Sequence, residues 1–301
     1  MQAKPHKPST PLPSATIILL RERAVGFQIY LLRRRAGSGF MAGNYVFPGG
    51  MVDAGDRRAA FWQNHVDLDR ADIARRLGGG IEADEVTAYG IAAVRETFEE
   101  AGVLLAHRQD QNHADLAQFL KLRTAVRMPE DWLISEVADG GWVIALSALR
   151  RWAHWITPER MPRRFDTRFF AACMPSDQQC RPDHHETTHG LWSTSEKALR
   201  GNLDGKIPLS PPTLMTLHAM LSYRSLAELM ADARSRSWGG ARMPRLVKTE
   251  DATLILRPDD PDYRRPEVLT RPRQLNRDRL AIGEPFTRLW HKDGIWCPVR
   301  R

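Results

Sequence analysis

The chain has 301 residues, 42% of them hydrophobic and 27% charged, which is enough apolar content to bury a core in one large domain or two small ones. Its net charge of +8 suits an anionic small molecule, and no apolar run reaches membrane-spanning length, so no membrane partner is expected. Cys173, Cys180 and Cys297 are too few and too scattered for a disulfide framework or a zinc knuckle, and they fit a reducing, cytoplasmic setting. Of the 44 basic residues 37 are arginine, a usage that a GC-rich genome would also produce, and no nucleic-acid partner is expected.

Residues 1–13 read as a flexible leader that carries Lys and Pro and lacks the apolar core of a signal peptide. Residues 15–20 and 27–32 are apolar, partly β-branched runs joined by a polar, Gly-containing link, and they predict a strand pair. A Gly-rich segment over 37–43 follows. The sequence Phe47-Pro48-Gly49-Gly50 then predicts a tight turn where backbone can come close to a phosphate. Residues 57–77 carry Phe61, Trp62, Val66, Leu68, Ile73 and Leu77 among charges, the pattern of one or two short helices, and Gly78-Gly79-Gly80 ends them.

The run 84–101 predicts a helix. Ile91, Val94, Phe98 and Ala101 recur at helical spacing and mark its buried stripe. Glu96, Glu99 and Glu100 stand at i, i+3 and i+4 on another face. Three like charges there repel, and a hard divalent cation such as Mg²⁺ or Mn²⁺ removes that cost. Arg95, four residues before Glu99, can hold that carboxylate, and Gly102 suits the left-handed residue that closes a helix.

Beyond the box helix, the periodicity predicts helices over 112–125 and 129–137, strands over 152–156 and 164–172, and a strand ending at Leu191-Trp192. A short helix over 195–200, a Pro-initiated helix over 211–222 and another over 225–236 follow. Residues 246–256 are β-like. From Arg257 the chain is rich in Pro, Asp and Arg, which predicts an extended tail wrapping the domain. The best boundary lies near 238–243, giving a domain over 14–238, with an insertion at about 57–88, and an extension over 239–301 that packs on it.

Joined, Gly50 to Asp56 and Arg95-Glu96-Thr97-Phe98-Glu99-Glu100-Ala101-Gly102-Val103 resemble the signature of the Nudix hydrolases. Residues 57–94 separate the halves, 38 residues where the family pattern has seven, and the acid is Asp56 where the pattern usually has Glu. The long split is similar to that of the peroxisomal coenzyme A diphosphatase branch, as are Trp152-Ala-His-Trp155-Ile-Thr-Pro158 and Arg164-Phe-Asp-Thr-Arg-Phe-Phe170. Leu31-Leu32 with Arg33, Arg34 and Arg35, and Gly43 before Phe47, match part of an upstream coenzyme A pattern. Its arginine four before the glycine is Gly39 here, and the last residues, Val299-Arg300-Arg301, are not a peroxisomal address.

The resemblance implies an α/β fold, a Nudix α/β/α sandwich around a mixed sheet, with a helical insertion and a C-terminal extension. It implies cleavage of a diphosphate in a nucleotide-type small molecule, best matched by coenzyme A or acyl-coenzyme A. It assigns Glu96, Glu99 and Glu100 as ligands of Mg²⁺ or Mn²⁺, with Arg95 orienting them and Glu99 or Glu186 taking a proton from water. Glu186 is the candidate distal acid because it lies six residues before Trp192. Arg33, Arg34 and Arg35, with Gly49 and Gly50, are the candidate phosphate contacts. NADH, ADP-ribose, nucleotide sugars and nucleoside triphosphates are alternative substrates. A non-catalytic ligand-binding module is another reading, disfavoured because all three box glutamates are present. The assembly is left open, a homodimer included.

One motif competes. His185-Glu186-Thr187-Thr188-His189 matches the His-Glu-x-x-His helix of zinc proteases. Pro182 before it, two β-branched Thr at its centre and Gly190 after it predict a loop entering a strand instead, with His184 and His189 as polar rim residues.

Overall fold

Long apolar runs that carry no polar alternation are expected where a sheet is covered on both faces, and the first strands of this chain are of that kind. In the computed structural model, which describes residues 9–37, 41–108, 117–123, 128–248, 253–266, 268 and 276–301, β1 (Leu12–Glu22) and β2 (Phe27–Arg34) form the predicted pair. Short strands β3 (Tyr45–Val46) and β4 (Gly49–Met51) flank the Phe47-Pro48 turn. The insertion contains two short helices, α1 (Ala59–Trp62) and α2 (Arg70–Ile73), and a wider π turn over Ala74–Gly78. The box helix α3 spans Ala83–Ala101.

After it come β5 (Ala106–Arg108), α4 (Ala117–Arg123), α5 (Trp132–Gly140) and β6 (Trp142–Ile144). The rest of the helix expected over 112–125 lies outside the described residues. Then follow β7 (Arg150–Ile156), β8 (Phe165–Cys173) and β9 (Thr187–Ser193), and helices α6 (Ser195–Leu203), α7 (Pro211–Met220) and α8 (Leu226–Ser235). The helix starts obey their caps. Thr194, Ser210 and Ser225 each accept a hydrogen bond from the backbone N–H three residues on.

The main sheet runs β3-β2-β1-β8-β7, with β4 pairing β1 and β9 pairing β2. It is mixed: β1 is parallel to β8 from Leu12↔Phe165 to Leu20↔Cys173 and antiparallel to β2 and β4. The period of two sorts its side chains to opposite faces. Ile17, Leu19, Leu32 and Phe170 pack with Ile91, Val94 and Phe98 of α3 and with Trp62 and Leu77 of the insertion. Ile18, Leu20, Ile29 and Phe169 pack on the other side with Leu214 of α7 and Leu229 of α8. The result is the α/β/α sandwich around a mixed sheet, with the insertion applied to the α3 face.

The expectation for the tail is corrected. Instead of an extended wrap it supplies β12 (Arg288–Lys292) and β13 (Ile295–Val299), which join β10 (Arg245–Lys248) and β11 (Thr253–Leu256) of the β-like stretch in a four-stranded antiparallel sheet, in sequential order. Leu246, Ile255, Leu289 and Trp296 share the α7–α8 core. Inside the sheet Arg288, 1% exposed, donates to both oxygens of Asp260 at 2.9 and 2.8 Å. That pairing is how a Pro-, Asp- and Arg-rich stretch can close a compact layer. Among the described residues, no helix is long and apolar enough to cross a membrane.

Candidate active site

The halves of the split box meet in space. Arg95, near the C-terminal end of α3, is buried, and its Nε and Nη2 donate to the two oxygens of Asp56 at 3.0 Å each. Nη2 also donates to the Met51 carbonyl at 2.8 Å, and Nη1 to Glu96 at 3.0 Å. Asp56 in turn accepts from the Asp53 N–H at 2.8 Å. One guanidinium therefore ties the loop before the insertion to the helix after it. The shorter Asp, where the family pattern usually has Glu, still makes a two-pronged contact.

The Gly49-Gly50 turn lies against the box glutamates. The Gly49 N–H donates to Glu100 at 2.9 Å, and a Cβ on Gly50 would collide with the Glu96 carboxyl. A side chain at Gly49 would likewise strike Ala15 and Thr16 of β1. Glycine is needed here for close approach. At its other end α3 closes on Gly102, which is left-handed at φ 72°, and Arg123 of α4 donates to the Glu99 carbonyl at 3.0–3.1 Å. A cation at a helix C-terminus complements the dipole there.

The predicted acidic face is not solvated. Glu100 is 4% exposed, and burial pushes its carboxyl well above the usual range, with the neighbouring Glu96 charge adding to the effect. Glu96 is raised too, first by burial against the opposing pull of Arg95, and further by Glu99 and Glu186. Glu99 stands apart. Its carboxylate accepts from the Trp132 indole N–H at 2.6 Å and from Arg95 at 3.3 Å, and it does not line the adjoining cavity. Among the described residues, no three acid, imidazole or thiol groups are drawn together as a ready-made metal cage.

That cavity, of about 540 Å³, is lined by Glu96, Glu186, Arg34, Gly49 and Gly50 at its charged end. Glu186 enters from the loop before β9, far from the box in sequence. Arg34 sits between acids, its Nη1 3.9 Å from Glu100 and its Nη2 3.8 Å from Glu186. Its neighbours in sequence, Arg33 and Arg35, are placed differently. Arg33 donates to the Gly43 carbonyl at 3.3 Å and Arg35 to the His184 carbonyl at 3.1 Å, and neither lines the cavity. The β2–β9 ladder shifts register between Arg33 and Arg34, and alternation along the strand sends the middle arginine to the site. The His185–His189 stretch is a loop that becomes β9, as its Thr and Gly content implies, with His184 at φ 60°.

Sequence reasoning missed Trp132, whose N–H holds Glu99, and the apolar lining of the cavity supplied by Trp155, Phe169 and Ile255. The aromatic content of β7 and β8 was the available signal for two of these; Ile255 lies in the stretch read as β-like, but nothing local there ties it to the cavity.

The sheet, the rejoined box and the Glu-lined cavity resemble those of Nudix hydrolases. A solved structure of a Nudix hydrolase from Alicyclobacillus acidocaldarius superposes with a TM-score of 0.60 at 24% identity, covering 77% of this chain and 99% of that one. The particular likeness is to the split-box branch: the NUDT19 Nudix domain family model matches residues 74–220. The human acyl-coenzyme A diphosphatase NUDT19 is 29% identical over 80% of this chain and 73% of its own length. A putative nudix hydrolase 7 of Caenorhabditis elegans is 27% identical over 85% and 76%.

Proposed function

We propose that this protein is a divalent-metal-dependent diphosphatase of coenzyme A or its acyl thioesters, releasing 4′-phosphopantetheine or its acylated form and adenosine 3′,5′-bisphosphate. The observation that carries the reading is the junction of Gly49-Gly50 with Glu96 and Glu100, where Gly49, Gly50 and Glu96 line one cavity, across an insertion that breaks the box in sequence. The relatives named for acyl-coenzyme A support the substrate class.

The donor set fits a hard cation. Burial raises the carboxyls of Glu96 and Glu100, with Glu99 and Glu186 adding at Glu96 and Glu96 adding at Glu100, and all-oxygen sites suit Mg²⁺ or Mn²⁺. Glu96 and Glu100 would hold it, joined by Glu99 once its carboxylate leaves Trp132, with Arg95 fixing their helix face. When bound, the cation would neutralise diphosphate charge and make water a better nucleophile.

The chain's own groups do the rest. Arg34 contacts a phosphate oxygen, and the Gly49-Gly50 backbone lets the diphosphate come close. The water oxygen bonds to one phosphorus, the bridging P–O bond breaks, and its electron pair leaves with the departing phosphate. Glu186 takes the water proton, a role supported over Glu99 by its place in the cavity wall. Three unpaired cysteines support a reducing, cytoplasmic setting. The chain divides into a Nudix domain over 14–238 and the extension over 239–301.

The test is hydrolysis of coenzyme A, acetyl-coenzyme A, NADH, ADP-ribose and nucleoside triphosphates with Mg²⁺ or Mn²⁺. Coenzyme A compounds should be cleaved preferentially, with turnover reduced at least a hundredfold in Glu96→Gln and Glu186→Gln. Preferential cleavage of another panel member would reject the substrate, and full activity of Glu186→Gln would reject its role.

A further inference from the structure

The cavity does not end at the box. Past the charged end it continues into a recess walled by Trp155 of β7, Met161 of the β7–β8 loop, Phe169 of β8 and Ile255 of β11. Trp155, Phe169 and Ile255 are 5%, 6% and 5% exposed, and Met161 is half-buried. Phosphate and ribose call for donors and cations, and a base carries polar edge atoms that need partners, whereas an alkyl arm is satisfied by apolar contact alone. The apolar end therefore suits an alkyl part of the substrate best. The wall also includes Ile255 from the C-terminal sheet and Pro244 just before it, so the extension helps to shape the site.

We propose that this recess seats the acyl arm of a fatty acyl thioester of coenzyme A, and that Ile255 of the C-terminal extension sets the chain length accepted. The inference rests on the coenzyme A reading above and deepens it. Each methylene drawn from water into the recess raises kcat/KM by up to about fourfold, until the recess is filled. Ile255 lines it from β11, and half-buried Met161 lines it from the β7–β8 loop.

The experiment measures kcat/KM for acetyl-, hexanoyl- and dodecanoyl-coenzyme A on the full chain, for the parent, Ile255→Phe and Met161→Glu. Thermal melts confirm that each variant is folded. Ile255→Phe should move the optimum toward the shorter acyl chains. Met161→Glu should lower the dodecanoyl-to-acetyl ratio at least tenfold, because a charge then borders the arm. Met161 is in a loop, so this variant keeps the question open to refutation if Ile255→Phe fails to fold. An unchanged chain-length profile in a folded Met161→Glu, with coenzyme A compounds still cleaved, would overturn the acyl seat alone. Absence of turnover on every coenzyme A compound in the parent would overturn both the seat and the substrate reading.

Discussion

Arg95 shows how one side chain can make a broken motif whole. It is 5% exposed and meets Asp56, itself 3% exposed, through two hydrogen bonds. Removing one partner of such a pair strands a buried charge and costs about 3–5 kcal/mol, whereas removing both leaves none. Arg95→Met should therefore be strongly destabilising in urea denaturation. Arg95→Met with Asp56→Leu should cost less than the two single changes added together. Strict additivity would show that Arg95 and Asp56 act independently. Arg34 makes a second residue-scale case. Its guanidinium lies within 4 Å of Glu100 and Glu186, where it competes with any added cation. Arg34→Gln should tighten Mn²⁺ binding by calorimetry about fivefold, roughly 1 kcal/mol. In the same variant KM for the diphosphate should rise about tenfold, since a charge-assisted contact is lost. Weaker Mn²⁺ binding would mean that Arg34 serves to hold the acids in place.

The elements differ in how openly the sequence declares them. The box helix was legible because Ile91, Val94, Phe98 and Ala101 keep a helical period and Gly102 stops it, and all four apolar residues are fully buried. The acidic face misled in one respect. Charge spacing placed Glu96, Glu99 and Glu100 together, but only the fold shows Glu100 under the Gly49 turn and Glu99 turned to Trp132. Such contacts join residues 33 to 51 positions apart, beyond the reach of any local pattern. Arg34 was obscured for a related reason, since three adjacent arginines look alike until strand alternation and the register shift separate them. The turn itself yields a prediction. Gly50→Ala should leave the melting temperature within a few degrees, because the neighbour that must move is the end of the Glu96 side chain. It should reduce kcat at least tenfold, since that carboxyl is displaced; unchanged turnover would remove Glu96 from the working site.

At the scale of the whole molecule, the sandwich could be anticipated from unbroken apolar strands and capped helices, and β10 and β11 from the β-like stretch, but the last two strands of the C-terminal sheet could not. Its polar connections dominate the composition from Arg257 onward, and its strands β12 and β13 are short and interrupted by the Asp293-Gly294 turn. What fixes them is tertiary. Leu289 is fully buried in the same cluster as Ile18 of the central strand and Leu214 of α7, so the extension and the Nudix layer have no separate cores on that side. A shared core predicts shared unfolding. Leu289→Ala deletes buried methyl groups at that seam and should cost about 2–5 kcal/mol. The loss should appear as one transition at lower urea, with tryptophan fluorescence and diphosphatase activity falling together. If activity instead survives a first fluorescence transition, the extension melts independently of the catalytic layer. In that case Ile255 could not act as a fixed wall of the cavity, and the acyl-chain preference should vanish in the same range of urea.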